Sequence, residues 1–274
     1  VWEAGKNLEN KLKLKSLFIF DVEGVLMDSV DRPRPVAGAL KLLDRLEAMG
    51  KKLHILSNVS RKSRRWIVEI LRQQGFKVAS DNITTASSAT ASYLRAWKPQ
   101  ARCFLIGEEG LVEELSAAGL ELVEEGPADA VVVAVDRKVT YQRLNHAMKL
   151  VKSGARLVCA GPNPVFRGVF EGEEGYFLGG KALCEAIAVA SGTPPKYVGK
   201  PYPEVFEQVL ERYGTKPDGA AMVGDKLETD VLGAKISKIF SIYLTRESLG
   251  PKLSWGILPD LVVKNPEELL TLLE

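Results

Sequence analysis

Histidine is scarce: His54 and His146 are the only two in 274 residues. That excludes a His-rich metal centre, though not a metal held by carboxylate oxygens alone. The three cysteines, Cys103, Cys159 and Cys184, lie far apart without CxxC spacing. Neither a zinc knuckle nor a disulfide framework is indicated, and a reducing, cytoplasmic setting is expected. Net charge is nearly absent, with 37 Lys+Arg against 35 Asp+Glu. Such a balance speaks against nucleic acid or an anionic membrane as the main partner. The longest aliphatic run, residues 130–135 (AVVVAV), falls far short of the ~20 residues that span a bilayer. The opening segment VWEAGKNLENKLKLK lacks the apolar stretch of a signal peptide and reads as a helical or frayed lead-in. Solenoid-type repeats and low-complexity tracts are missing as well.

What is present is ordinary for a folded chain: 46% hydrophobic and 26% charged residues, 24 Gly and 14 Pro. The length suits one large domain or two moderate ones. From Ser16 onward, short β-branched and aromatic runs alternate with amphipathic stretches, the pattern of βα units and a mostly parallel sheet. Strands are expected at 16–22, 52–56, 103–106, 130–135, 156–159, 197–198, 220–223, 240–244 and 261–263. Helices are expected at 36–49, 61–74, 87–97, 109–118, 141–153, 181–190, 203–213 and 229–236, with a last one from Pro266. The Gly-rich stretch 161–180 is left without an element, SGTPPK at 191–196 reads as a linker, and the strands beyond it are expected to complete the first sheet.

Four constellations carry chemistry, each directly after an expected strand. In FDVEG, Asp21 and Glu23 share one side of the strand end ahead of Gly24. Such a pair binds a hard cation or divides nucleophile and acid/base roles; otherwise it is a solvated strand end. In GDKLETD, Asp225 at a strand end and Asp230 in the following turn can converge on one cation, although Asp230 alone also fits compensation of a helix dipole. Ser57-Asn58 falls where the N-cap of the 61–74 helix would be, and its hydroxyl and amides suit an anion, or simply the cap. Lys200 stands between Gly199 and Pro201, and taken alone it is a surface lysine. His54 reads as a packed core residue, His146 as part of a solvated helix face, and the cysteines as small buried hydrophobes.

Taken in order, DVEG, SNVS, GKP and GDKLETD resemble the four motifs of the haloacid dehalogenase-like hydrolases, chiefly Mg²⁺-dependent phosphatases. The long insertion between the second and third motifs looks like the cap of the subgroup holding NagD, phosphoglycolate phosphatases and 4-nitrophenylphosphatases. PVAGA at 35–39, ITTASSAT at 83–90 and Asn163-Pro164 are similar to that subgroup too. The resemblance implies an α/β fold, a Rossmann-like parallel-sheet core with an inserted α/β cap, divided as core 1–80, cap 81–193 and core 194–274. It implies that Asp21 is the nucleophile and a Mg²⁺ ligand, and that Ser57, with the Asn58 backbone, binds the phosphoryl oxygens. Lys200 would neutralise nucleophile and phosphate, Asp225 would ligate the metal, and Asp230 would orient a ligand or water. The substrate implied is a small phosphorylated metabolite, and a homodimer through the cap is a further implication.

The chain departs from the family pattern at Glu23, where most of these phosphatases carry Asp to protonate the leaving oxygen and then activate water. The family's metal contact at this position is the backbone carbonyl, which a longer side chain leaves in place. The acid/base step is affected more, since displacements of about 1 Å at a reacting centre can cost on the order of a hundredfold. A working phosphatase and a phosphate-binding or regulatory protein with weak turnover are therefore the two readings. Dehalogenase chemistry is disfavoured by the retained acids Asp225 and Asp230. Val165 stands where related sequences often carry Asp, and Arg167 reads as a surface arginine or as a contact for an anionic substrate tail.

Overall fold

A computed structural model describes residues 10–245 and 256–273. Most of the expected lead-in, residues 1–9, lies outside the described residues. The strands in chain order are β1 (Leu17–Phe20), β2 (Lys52–Ser57), β3 (Ile83–Thr85), β4 (Arg102–Ile106), β5 (Glu121–Leu122) and β6 (Ala130–Val133). They continue as β7 (Arg156–Ala160), β8 (Val165–Phe170), β9 (Glu173–Leu178), β10 (Lys196–Val198), β11 (Ala220–Gly224), β12 (Phe240–Leu244) and β13 (Leu261–Val263). Two compact units result. One comprises the described residues up to Ser57, Ile70–Ile83 and those from Lys200 on; the other comprises Asn58–Glu69 and Thr84–Gly199.

The first unit is built on a sheet of order β13-β12-β11-β1-β2-β3. β1 is buried along its whole length, as a strand covered on both faces must be, and reads accordingly as the unbroken apolar run LFIF. It pairs in parallel with β11 on one side and β2 on the other. Parallel pairing brings the C-terminal ends of all three to one sheet edge, where open α/β sheets place their ligands. The helix Ala39–Ala48 covers the sheet through Ala39, Leu42, Leu43 and Leu46, spaced three and four apart on one stripe. His54 on β2 is fully buried, its Nδ1 3.3 Å from the Tyr213 hydroxyl.

The second unit carries a parallel sheet of order β10-β7-β6-β4-β5 and a separate antiparallel pair, β8-β9. β10 pairs with β7, Tyr197 opposite Cys159, so residues 197–198 extend this second sheet rather than completing the first. SGTPPK is then the turn that ends the helix Gly180–Ser191 and enters β10, with Gly192 at φ +73 as its left-handed stop. The Gly-rich stretch holds the β8-β9 hairpin, in which Phe166 and Phe177 lie 5.7 Å apart. All three cysteines are buried. His146 is half-buried rather than solvated, edge-on to Phe104 at 4.9 Å. Among the described residues no helix is long and apolar enough to cross a membrane.

Three helices start three residues later than expected, at Ala39 instead of 36, Arg64 instead of 61 and Leu232 instead of 229, and the last two bear on the site. The helix after β2 begins at Arg64, and the Ser63 hydroxyl accepts the Trp66 N–H at 3.3 Å, so Ser57-Asn58 is not its cap. The intervening loop is held instead by neighbours in its own unit: Ser87 Oγ donates to the Ser60 carbonyl and the Gly110 N–H to the Arg61 carbonyl, both at 3.1 Å. After β11, residues 227–231 form a wide turn in which both the Asp230 and Val231 amides reach the Lys226 carbonyl, and only then does the helix Leu232–Ile236 begin.

Candidate active site

The first unit brings Asp21, Lys200, Asp225 and Asp230 together. Asp21 follows β1, and its N–H donates to the Val223 carbonyl at 3.0 Å, which ties it to β11. Lys200 is buried, with its Nζ 2.9 Å from Asp21 Oδ1 and 2.7 Å from Asp230 Oδ1. Asp230 is fully buried, and its Oδ2 accepts the Lys226 N–H at 3.1 Å. The wide turn is what aims this side chain back under the end of β11. That approach needs glycine at 224, because a Cβ there would sit 2.1 Å from the Asp230 Cβ. Gly24 serves Asp225 in the same way. It has φ +77, and an added Cβ would lie 2.1 Å from Asp225 Oδ2.

Asp21, Asp225 and Asp230 each offer a carboxylate oxygen, and the three oxygens lie within 4.8 Å of one another. Burial pushes Asp225 up to about 7, and the neighbouring Asp21 and Asp230 add to the effect against the counter-pull of Lys226. Asp230 is also raised, by burial first and by Asp21. Burial works against the charge on Lys200, but Asp21 and Asp230 outweigh it and hold the ammonium charged. Asp225 Oδ1 is buried with no hydrogen-bond partner among the described residues. An orphaned hard oxygen beside two more carboxylates, with too little positive charge nearby to neutralise them, fits a small divalent cation such as Mg²⁺.

The remaining candidates fall into place separately. Ser57 ends β2 and is buried at the same sheet edge as Asp21. Glu23 is half-exposed, and its Oε1 accepts the Val30 N–H at 3.1 Å. Asn58 is the first residue of the other unit, where its side-chain amide donates to Asn163 Oδ1 at 2.9 Å. Arg167 pairs with Glu174 across the hairpin at 2.9 Å, as a surface arginine does. Lys226 joins the site without having a motif role of its own. Its ammonium resists burial and is kept charged by Asp21, Asp225, Glu23 and Asp230. The signal for it was a lone cation inside the acidic motif GDKLETD.

Residues 18–121 match the family described as haloacid dehalogenase-like hydrolase, and residues 197–269 match a second family of the same kind. The p-nitrophenyl phosphatase from Archaeoglobus fulgidus superposes with a TM-score of 0.87 at 31% identity, over 94% of this chain and 98% of that one. NagD from E. coli K-12 superposes with a TM-score of 0.81 at 26% identity, over 93% and 98%. An acid sugar phosphatase of Staphylococcus epidermidis is 29% identical over 221 residues, 81% of this chain and 83% of that protein.

Proposed function

Because the chain belongs to the haloacid dehalogenase-like hydrolases and is by that kinship a phosphoric monoester hydrolase of the NagD-like kind, we propose that it is a Mg²⁺-dependent phosphatase acting through an aspartyl-phosphate on Asp21. The observation that carries this is the buried group in which Lys200 bridges Asp21 and Asp230 while Asp225 completes a triad of converging carboxylates.

In this reading an Asp21 oxygen attacks the phosphorus in line, and the P–O bond to the leaving alcohol breaks as Glu23 donates a proton to that oxygen. Glu23, now a carboxylate, takes a proton from water attacking the same phosphorus, which releases inorganic phosphate and restores Asp21. Lys200 holds Asp21 in place and offsets charge on the phosphoryl oxygens, and the Ser57 hydroxyl donates to one of them. Asp21, Asp225, Asp230 and the Glu23 carbonyl would hold the cation. When bound, Mg²⁺ supplies neutralisation of equatorial phosphoryl charge.

The second unit is then the cap that selects the leaving group, and sugar and aryl phosphates are the first substrates to try, given what the relatives are named for. A cytoplasmic location and a homodimer through the cap complete the reading. Phosphate release from a panel of phosphate esters, with Mg²⁺ and with EDTA, tests it. Metal-dependent turnover is expected, and affinity without turnover would make the protein a binder instead.

A further inference from the structure

We propose that the Val30 amide holds Glu23 in its working position, so that a side chain one methylene longer than aspartate is required here and Glu23 also fastens the loop at 24–35. The inference rests on the acid/base role given to Glu23 above. The base of the loop is closed by the backbone: the Gly24 N–H donates to the Met27 carbonyl at 2.7 Å, the Asp28 N–H to Arg34 at 2.9 Å and the Val36 N–H to Leu26 at 2.9 Å. Met27 and Val30 are buried, so the loop is packed down rather than loose. Next to Glu23, the backbone is held by the bond from the Gly24 N–H to Met27, and Gly24 runs so close to Asp225 that an added Cβ would collide with it.

With the loop base closed in this way, side-chain length sets whether the carboxylate reaches Val30. Glu23 Oε1 accepts the Val30 N–H at 3.1 Å. Aspartate falls short by one carbon–carbon bond, about 1.5 Å, which puts its oxygen outside hydrogen-bond range. Glutamine keeps an acceptor oxygen at the same reach. An acid/base group is effective only when its rotamer is held, and a fixed backbone donor is one way to hold it. The departure from aspartate at position 23 is thus matched by a donor seven residues on.

Amide-resolved hydrogen exchange at Val30, together with steady-state kinetics, tests this on the wild type, Glu23→Gln and Glu23→Asp. Glu23→Gln should keep Val30 protected while turnover drops, because the amide anchors but cannot transfer a proton. Glu23→Asp should speed Val30 exchange by about tenfold and lower kcat with little change in KM. Wild-type protection of Val30 in Glu23→Asp, loss of protection in Glu23→Gln, or a kcat in Glu23→Asp at or above wild type would overturn the proposal. Exchange at Val30 does not depend on the covalent mechanism, so failure of the anchor is distinguishable from failure of the Asp21 assignment, which Asp21→Asn reads separately.

Discussion

Lys200 is the residue on which the site's electrostatics turn, since it is buried and faces two aspartates, at 2.9 and 2.7 Å. Lys200→Met should leave those carboxylates buried without their cation, costing about 3–5 kcal/mol in denaturant unfolding as well as most of the turnover. Unfolding free energy equal to wild type would mean that the pair is not buried as described. Asp225 and Asp230 were legible as strand-end and turn acids following an apolar run, whereas the burial of Lys200 was not, because a lysine between glycine and proline looks the same in sequence whether exposed or enclosed. His54 makes the opposite case: a histidine inside an apolar strand was readable as core. Burial, and secondarily the charge of Arg212, lowers its pKa from 6.5 to about 3. The unfolded chain takes up a proton near pH 6.5 and the folded one does not until about 3, so this contribution is full above 6.5 and is lost as pH falls toward 3. The loss reaches about 5 kcal/mol at most. The dependence of unfolding free energy on pH between those values should be shallower in His54→Asn than in wild type; equal slopes would contradict a buried neutral imidazole.

Elements were easier to read than their edges. Apolar runs such as LFIF and AAMV, and stripes such as Ala39, Leu42, Leu43 and Leu46, need only local periodicity to be recognised. Which sheet a three-residue strand joins is a tertiary matter, so local pattern neither places 197–198 beside β7 nor marks β3 as a strand. The wide turn at 227–231 was likewise invisible, because it is set by the Asp230 carboxylate taking the Lys226 N–H and by the lack of a side chain at Gly224. A prediction at this scale concerns Gly24→Ala. The new Cβ would collide with the Asp225 carboxylate, and φ +77 is itself unfavourable for alanine. We expect at least about 1 kcal/mol of destabilisation, read by thermal unfolding, together with weaker metal dependence; a variant with wild-type values for both would contradict the close approach.

At the scale of the molecule, the near-zero net charge conceals a site that gathers three acids, two of them buried and Asp225 partly so, around one space. In the metal-free protein these acids repel, and relief of that repulsion should appear as stability. Thermal unfolding should shift upward with added Mg²⁺, by about 2.7 kcal/mol at a hundredfold excess over the dissociation constant, and Asp225→Ala should abolish the shift. An unchanged Mg²⁺ response in Asp225→Ala would place the metal elsewhere. The discontinuity of the first unit was legible only through motif order, since the residues that meet in space come from 21, 200, 225 and 230. No local pattern relates such distant segments, and four short motifs each following a strand did so only jointly.

The central claim is that the phosphoryl group passes through Asp21. Rapid quenching of the enzyme during Mg²⁺-supported turnover, borohydride reduction and peptide mass analysis read that directly. An acyl-phosphate at Asp21 is expected to be reduced to homoserine. Homoserine at another acid, or full turnover with Asp21 never modified, would contradict it.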